Sequence, residues 1–109
     1  MTTTHALKQQ DALLGVRDAL AALAPILPPT PLQANQFLSD RYGCNVYLKR
    51  EDLTPVRSYK IRGAFNFFRK ALVADSPPTG FVCASAGNHA QGFAFACHYF
   101  NKSGVVFMP

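Results

Sequence analysis

The order of hydrophobic patterns in the second half of the chain constrains its fold more than any other feature. Three short apolar or alternating runs are typical of strands, and two longer segments have the spacing of helices. In chain order these five segments are residues 45–49, 58–72, 81–84, 88–100 and 104–108. Strand, helix, strand, helix, strand is the order of a right-handed βαβαβ unit. The sequence therefore predicts an α/β fold with a mainly parallel sheet.

Both helices of this unit are predicted to face a core. The first has one apolar stripe, made of Ile61, Ala64, Phe65, Phe68 and Leu72. Ser58 precedes the stripe at a position where a hydroxyl caps a helix. The second helix is apolar almost all round, and Gly92, Ala94 and Ala96 are expected to let it lie close to a sheet. The strands at 81–84 and 104–108 are apolar on both faces, as in sheets buried between two layers.

The first part of the chain is predicted to form a helix and a stiff linker. Apolar side chains recur at helical spacing within residues 10–24, at Leu13, Val16, Leu20 and Leu23. The prolines of residues 25–31 end this helix and favour an extended connection. We therefore divide the chain into residues 1–27, the helix and proline-rich linker, and residues 28–109, the main domain. In that domain Asn35 is predicted to cap a short helix that ends at Gly43.

Composition excludes several classes of protein. With 49% hydrophobic and 16% charged residues, the 109-residue chain is not disordered, and no apolar run approaches the roughly 20 residues that span a bilayer. The net charge of +5 is dispersed, so we expect no nucleic-acid partner. The sequence begins without a signal-peptide pattern, which favours the cytoplasm. Three cysteines, an odd number without C-x-x-C spacing, argue against a disulfide framework or a structural zinc site, and we expect no metal.

Lys60 is the candidate covalent catalyst. It stands in the first turn of a predicted helix, near the positive end of the helix dipole, where a Schiff base forms more readily than on a surface lysine. Gly63, one turn later, is expected to leave room for a flat ring. Spacing alone does not distinguish this lysine from an ordinary solvated one, which is the more common case on an amphipathic helix.

The second candidate is the turn at residues 85–92, which leads from a strand into a helix. Free N–H groups at a helix N-terminus bind carboxylates or phosphates. The glycines at 87 and 92 have P-loop spacing, but Phe93 and Ala94 stand where that loop requires lysine and serine or threonine. His89 has no second histidine or acid at ligand spacing, so it is predicted to be packed or hydrogen-bonded and not a metal ligand.

Three motifs, in this order, resemble the threonine dehydratase family of fold-type II pyridoxal-phosphate enzymes, whose domain is like that of the tryptophan synthase β chain. They are Lys49-Arg50-Glu51-Asp52-Leu53, Ser58-Tyr59-Lys60-Ile61-Arg62-Gly63-Ala64 and Ser85-Ala86-Gly87-Asn88-His89-Ala90-Gln91-Gly92. The resemblance extends from Pro28 to Pro109. It implies that the chain contains a βαβαβ portion of such a domain.

The resemblance also implies a cofactor, a reaction and a set of site residues. Pyridoxal phosphate attaches to Lys60, which then removes the Cα proton of L-threonine, and loss of the β-hydroxyl leads to 2-oxobutanoate and ammonia. L-Serine gives pyruvate in the same way. Tyr59 lies beside the cofactor ring, and Asn88 contacts its hydroxyl. The substrate carboxylate rests on Ser85, Ala86, Gly87, Asn88 and His89. The implied role is the first step of isoleucine biosynthesis, in a homo-oligomer.

Several parts of such an enzyme are not found in these residues. The family's glycine-rich phosphate loop, its residue facing the pyridine nitrogen and any regulatory domain are expected after residue 109. The chain is therefore expected to be the N-terminal part of a longer catalytic domain and to be inactive alone.

Two alternatives remain open. Serine racemases and serine dehydratases share these motifs, but the racemases have a serine where Ala86 stands, and racemisation needs an acid/base on the second face of the ring. More remotely, Arg62-Gly63-Ala64-Phe65-Asn66-Phe67-Phe68 has some likeness to an RNA-binding RNP1 strand. Its aromatic residues follow helical spacing, whereas RNP1 needs them on one strand face.

Overall fold

The computed structural model describes the backbone of residues 2–109 and the side chains of residues 10–109. The elements in chain order are α1 (Thr2–Leu23), β1 (Leu32–Ala34), α2 (Gln36–Tyr42), β2 (Tyr47–Lys49), a 3₁₀ turn (Glu51–Leu53), α3 (Lys60–Leu72), β3 (Gly80–Ala84), α4 (Asn88–Tyr99) and β4 (Ser103–Phe107). The predicted mixture of helices with a parallel sheet is confirmed, and most predicted boundaries lie within two residues of those observed.

The strands form two separate sheets of two strands each. β3 and β4 are parallel, with Gly80 opposite Ser103 and Ala84 opposite Phe107. β2 pairs antiparallel with β1. The prediction that residues 45–49 begin a βαβαβ unit is therefore wrong for the described residues, where only β3, α4 and β4 form a parallel unit. β2 is three residues long and exposed throughout, which is typical of a peripheral ribbon and not of a buried parallel strand.

Helix capping follows the sequence prediction in α2 but not in α3. Asn35 accepts a hydrogen bond from the Leu38 N–H at 2.9 Å, and Gly43 ends α2 in the left-handed conformation at φ 64°. In contrast, α3 begins at Lys60 with Tyr59 at its N-cap and no side-chain cap. Ser58 lies inside the preceding loop because Thr54 bonds its backbone, so the predicted Ser58 cap is wrong.

Helix α3 joins two hydrophobic clusters. Its amino-terminal half contributes to the first, which consists of Leu23, Leu27, Ile61 and Phe65. Its middle contributes to the second, which consists of Phe68, Phe93, Ala96 and Cys97. Phe68 also stacks on Phe81 of β3 with ring centroids 3.8 Å apart. The predicted apolar stripe of α3 is thus confirmed, with Leu72 half-buried at its end.

Helix α1 is longer than predicted and buries less. Leu23 lies in the first cluster, whereas Leu13, Val16 and Leu20 are 51%, 65% and 61% exposed. The carboxyl half of α1 packs on α3, where Asp18 also pairs with Arg69. The predicted amphipathic face is therefore covered only at one end. None of the helices in the described part of the chain combines the length and hydrophobicity needed to cross a membrane.

The parallel sheet has one covered face and one bare face. Phe81, Cys83 and Val106 pack against the second cluster. On the opposite face Val82, Val105 and Phe107 are 70%, 53% and 64% exposed. The expectation that these strands are buried on both faces is not met within residues 2–109.

Helices α3 and α4 meet at Gly92, where backbone touches backbone. A Cβ added at Gly92 lies 3.1 Å from both the Ile61 nitrogen and the Lys60 carbonyl carbon. Only a glycine permits this separation of the two helices without displacement, because backbone atoms cannot rotate away as a flexible side chain does. The sequence prediction that Gly92 allows close packing is confirmed, although its neighbour is helix α3.

We expect Gly92→Ala to destabilise the protein. The overpacking cost of about 1–3 kcal/mol outweighs the gain of about 1 kcal/mol in helix propensity. Gly15→Ala in α1 is the matched control, since a Cβ there meets nothing within 4 Å, and it should stabilise the protein by about 0.5–1 kcal/mol. Urea midpoints measure both changes, and equal effects of the two alanines would contradict the assigned contact.

Candidate active site

Lys60 is the first residue of α3, and its side chain is exposed. Its Nζ lies 5.4 Å from the centroid of the Tyr59 ring, which is itself 61% exposed. The ion pairs of the described residues are Arg50–Asp52, Arg62–Glu51 and Arg69–Asp18, so none of them involves Lys60. The structure thus presents an accessible amine beside an aromatic ring.

The turn between β3 and α4 is organised by Ser85. Its Oγ accepts hydrogen bonds from the N–H groups of Gly87 at 3.2 Å and Ala90 at 3.3 Å. The N–H groups of Asn88 and His89 lie in the first turn of α4, where a helix offers them no acceptor. This turn therefore directs free donors outward from the carboxyl end of β3, as the sequence analysis expected for an anion site.

The contact at Gly92 brings the two predicted parts of the site together. Gly92 lies four residues after Asn88, which is about 6 Å along the axis of α4. Its backbone touches the junction of Lys60 and Ile61. Lys60 and the 85–89 turn are therefore neighbours in space although 25 or more residues separate them in the chain.

The space beside Gly63 differs from the prediction. A Cβ at Gly63 meets nothing within 4 Å, so the room is present. It belongs to a groove of about 430 Å³ between α1 and α3, which apolar residues such as Leu20 and Leu23 line and which Lys60 does not border. Gly63 therefore does not open space on the side of the α4 turn.

Glu51 and Arg62 form an ion pair that the sequence analysis did not assign. Arg62 donates from Nε to Oε2 at 2.8 Å and from Nη2 to Oε1 at 3.0 Å, and Thr30 donates its hydroxyl proton to Oε1. The side chains of Glu51 and Arg62 are 18% and 29% exposed. The hydrogen-bonded Arg62 guanidinium holds the pKa of Glu51 below its usual 4.5, and Thr30 acts in the same direction against the effect of partial burial. The acid in the Lys49–Leu53 motif was the available signal.

The described residues fit a flat, anionic carbonyl ligand better than a metal. Lys60 offers an amine that can condense with an aldehyde, and the α4 turn offers N–H donors and the Asn88 amide. Ser58 adds a buried hydroxyl that has no hydrogen-bond partner in the described part of the chain. No group of three or more His, Cys, Asp or Glu side chains among these residues is placed to hold a metal ion.

Comparison with known proteins decides the family. Residues 23–109 match the family model described as pyridoxal-phosphate dependent enzyme. The chain belongs to this family. Its chemistry is consistent with the exposed amine of Lys60.

Relatives of this family member include several threonine dehydratases. The chain is 55% identical over 87 residues to the biosynthetic L-threonine dehydratase of Halalkalibacterium halodurans, covering 80% of this chain and 21% of the relative. It is 48% identical over 106 residues to that of Bacillus subtilis, covering 94% of this chain and 25% of the relative. The chain thus spans about a fifth to a quarter of the length of these relatives.

Solved structures similar to this family member include both deaminases and racemases. The processed threonine deaminase isoform 2 of Solanum lycopersicum has a TM-score of 0.76 at 39% identity, over 92% of this chain and 28% of that one. A pyridoxal 5'-phosphate-dependent aspartate racemase has a TM-score of 0.83 at 27% identity, over 89% and 31%. Maize serine racemase has a TM-score of 0.74 at 26% identity, over 87% and 30%.

We expect Glu51→Gln to weaken the pH dependence of stability. The lowered pKa means that ionised Glu51 contributes stability that is fully present above about pH 4.5 and is lost as the pH falls through the folded-state pKa. Near pH 6 the variant should lose about 1–3 kcal/mol, because Arg62 keeps a partly buried charge without its partner.

Urea midpoints between pH 6 and pH 3 measure this difference. Asp52→Asn is the control, since Asp52 pairs with Arg50 at the surface and its side chain is 56% exposed. A Glu51→Gln variant with the wild-type slope against pH would show that the ion pair does not contribute.

Proposed function

We propose that the protein catalyses the pyridoxal-phosphate-dependent dehydration and deamination of L-threonine to 2-oxobutanoate and ammonia, and of L-serine to pyruvate. One observation carries the proposal: the Gly92 contact joins the backbone at Lys60 and Ile61 to α4, one helical turn after the donor-rich 85–89 turn, and the Lys60 side chain is exposed. The relatives named biosynthetic L-threonine dehydratase, at 48–55% identity, support the choice of substrate.

Lys60 has two roles in this proposal. Its amine would hold the cofactor covalently, and the same Nζ, when free, would take the proton from the substrate Cα. When bound, pyridoxal phosphate withdraws electrons from Cα, which makes that proton removable. Tyr59, whose ring already lies beside the Lys60 amine, flanks the cofactor ring.

The α4 turn holds the substrate and orients the cofactor. The substrate carboxylate lies on the turn formed by Ser85, Ala86, Gly87, Asn88 and His89, where N–H groups of the first helical turn donate to it. Ser85 is bonded to two N–H groups of the same turn, so it fixes the shape of this cradle. The Asn88 side-chain amide contacts the ring hydroxyl of the cofactor.

The absence of a side-chain hydroxyl at Ala86 distinguishes dehydration from racemisation. Racemisation requires a group that returns a proton on the ring face opposite Lys60. A methyl group cannot do so. Racemase activity is the second candidate function, because a solved aspartate racemase resembles the backbone with a TM-score of 0.83.

We further propose a setting for this activity. Residues 1–27 form an accessory helix and linker, and residues 28–109 are the N-terminal part of the catalytic domain. The protein acts in isoleucine formation, as a homo-oligomer in the cytoplasm; the word biosynthetic in the relatives' names supports the first of these three points.

Lys60→Ala should abolish turnover and the visible absorbance of the protein that its gene encodes, because the attachment point and the base disappear together. Borohydride reduction of the wild type followed by peptide mapping should place the cofactor on Lys60. Lys70→Ala, an exposed lysine of the same helix, is the control and should keep both properties. Cofactor mapped to another lysine would refute the assignment.

The wild-type protein should release 2-oxobutanoate from L-threonine without detectable Cα epimer, because Ala86 offers no proton on the second face. Ala86→Ser should raise the epimerised fraction. Chiral chromatography of partly converted reactions measures both. Substantial epimer from the wild type would favour the racemase reading and leave Ala86 without its assigned role.

A further inference from the structure

The segment from Glu51 to Thr54 holds the chain on both sides of Lys60. Glu51 binds Arg62, two residues after the lysine, at 2.8 and 3.0 Å. Thr54 binds Ser58, two residues before it. Lys60 itself has the Tyr59 ring as its neighbour and takes part in none of the described ion pairs. The position of its backbone is therefore set by these bonds of its flanking residues together with the contact at Gly92.

Thr54 bonds the loop that follows it through both its side chain and its backbone. It is 5% exposed. Its hydroxyl donates to the Ser58 carbonyl oxygen at 2.9 Å and accepts from the Ser58 N–H at 3.0 Å. Its own carbonyl oxygen accepts from the Arg57 N–H at 2.9 Å. Burial keeps water from replacing these bonds, so each lost partner leaves an unsatisfied backbone group.

The loop that Thr54 closes contains one residue in an unfavourable backbone conformation, and this strain opposes closure of the loop. Arg57 has φ 59°, in the left-handed region that side chains other than those of asparagine and aspartate rarely adopt. The Thr54 bonds to Ser58 span this residue. Without them the loop can relax towards φ below zero, and such a change alters the direction in which the chain enters α3.

We propose that Thr54 is a positioning residue for Lys60: through both backbone groups of Ser58 it fixes the start of α3 and thereby the backbone from which the lysine side chain extends. This inference rests on the proposed role of Lys60. Proton transfer at Cα depends steeply on geometry, since a misplacement of about 1 Å can reduce the rate by about 100-fold.

The test compares Thr54→Val, which keeps the shape and removes the hydroxyl, with Thr54→Ser, which keeps the hydroxyl. In the cofactor-bound protein, Thr54→Val should lower kcat for L-threonine by about tenfold or more, while KM changes by less than about twofold. Thr54→Ser should stay close to wild type. Thr79→Val, at an exposed threonine just before β3, is the matched control and should change neither.

Hydrogen exchange of the amides of residues 58–61 in protein stripped of cofactor supplies a readout independent of activity. Thr54→Val should speed this exchange, and Thr54→Ser should not. A lower melting temperature with unchanged kcat and unchanged exchange at residues 58–61 would overturn the proposal, as would equal kcat losses in the valine and serine variants. If the wild type carries no cofactor on Lys60, the proposed function fails, while the exchange data still decide whether Thr54 fixes the start of α3.

The Arg57→Gly background provides a second comparison in case Thr54→Val alone does not fold. Glycine adopts φ near 60° freely, so this background removes the resistance of the loop. Comparing Arg57→Gly with the double variant Thr54→Val/Arg57→Gly then isolates the hydroxyl. In this background the double variant should still show lower kcat and faster exchange, but by less than Thr54→Val alone, because the strain at residue 57 no longer drives the loop apart. Equality of Arg57→Gly and the double variant in both measurements would reject the role of Thr54.

Discussion

The close contact of α4 with α3 at Gly92 is the constraint on which the rest of the site depends. It is a contact between backbones, so its distance is set by the absence of a side chain and not by an attraction between particular groups. The aromatic cluster around Phe68 and Phe93 stabilises the same pair of helices further along. The apolar core and one glycine together fix how the start of α3 lies against the first two turns of α4.

Local signals were predictable from the sequence, and long-range pairing was not. The stripe of Ile61, Phe65 and Phe68 is a periodic pattern, and periodicity reports directly which face is buried. The pairing of β2 with β1 leaves no such pattern, because two exposed three-residue strands gain little from burial. The hydroxyl of Thr54 has many possible partners, and only the folded loop selects Ser58. The roles of Lys60 and Asn88 came from resemblance and stay predictions.

Backbone similarity does not distinguish between the two reactions that are named for the solved structures similar to this chain. The aspartate racemase has a TM-score of 0.83 and the tomato threonine deaminase one of 0.76, so the ranking by shape differs from the ranking by sequence. The same kind of backbone is therefore found with both reactions, and the reaction has to be argued from side chains. Under the proposed function, that distinction falls to Ala86, whose methyl group has no proton to return.

One face of the parallel sheet is exposed, and a single hydrogen bond connects this sheet to the turn before α4. The Ser85 N–H donates to the Phe107 carbonyl oxygen at 3.0 Å, so the turn before α4 is attached to the last residue of β4. The Phe107 side chain lies on the uncovered face. A shift of Phe107 is therefore passed to Ser85 and to the two N–H groups that bond its hydroxyl. The exposed face of the sheet and the N-terminus of α4 are mechanically coupled through this one hydrogen bond.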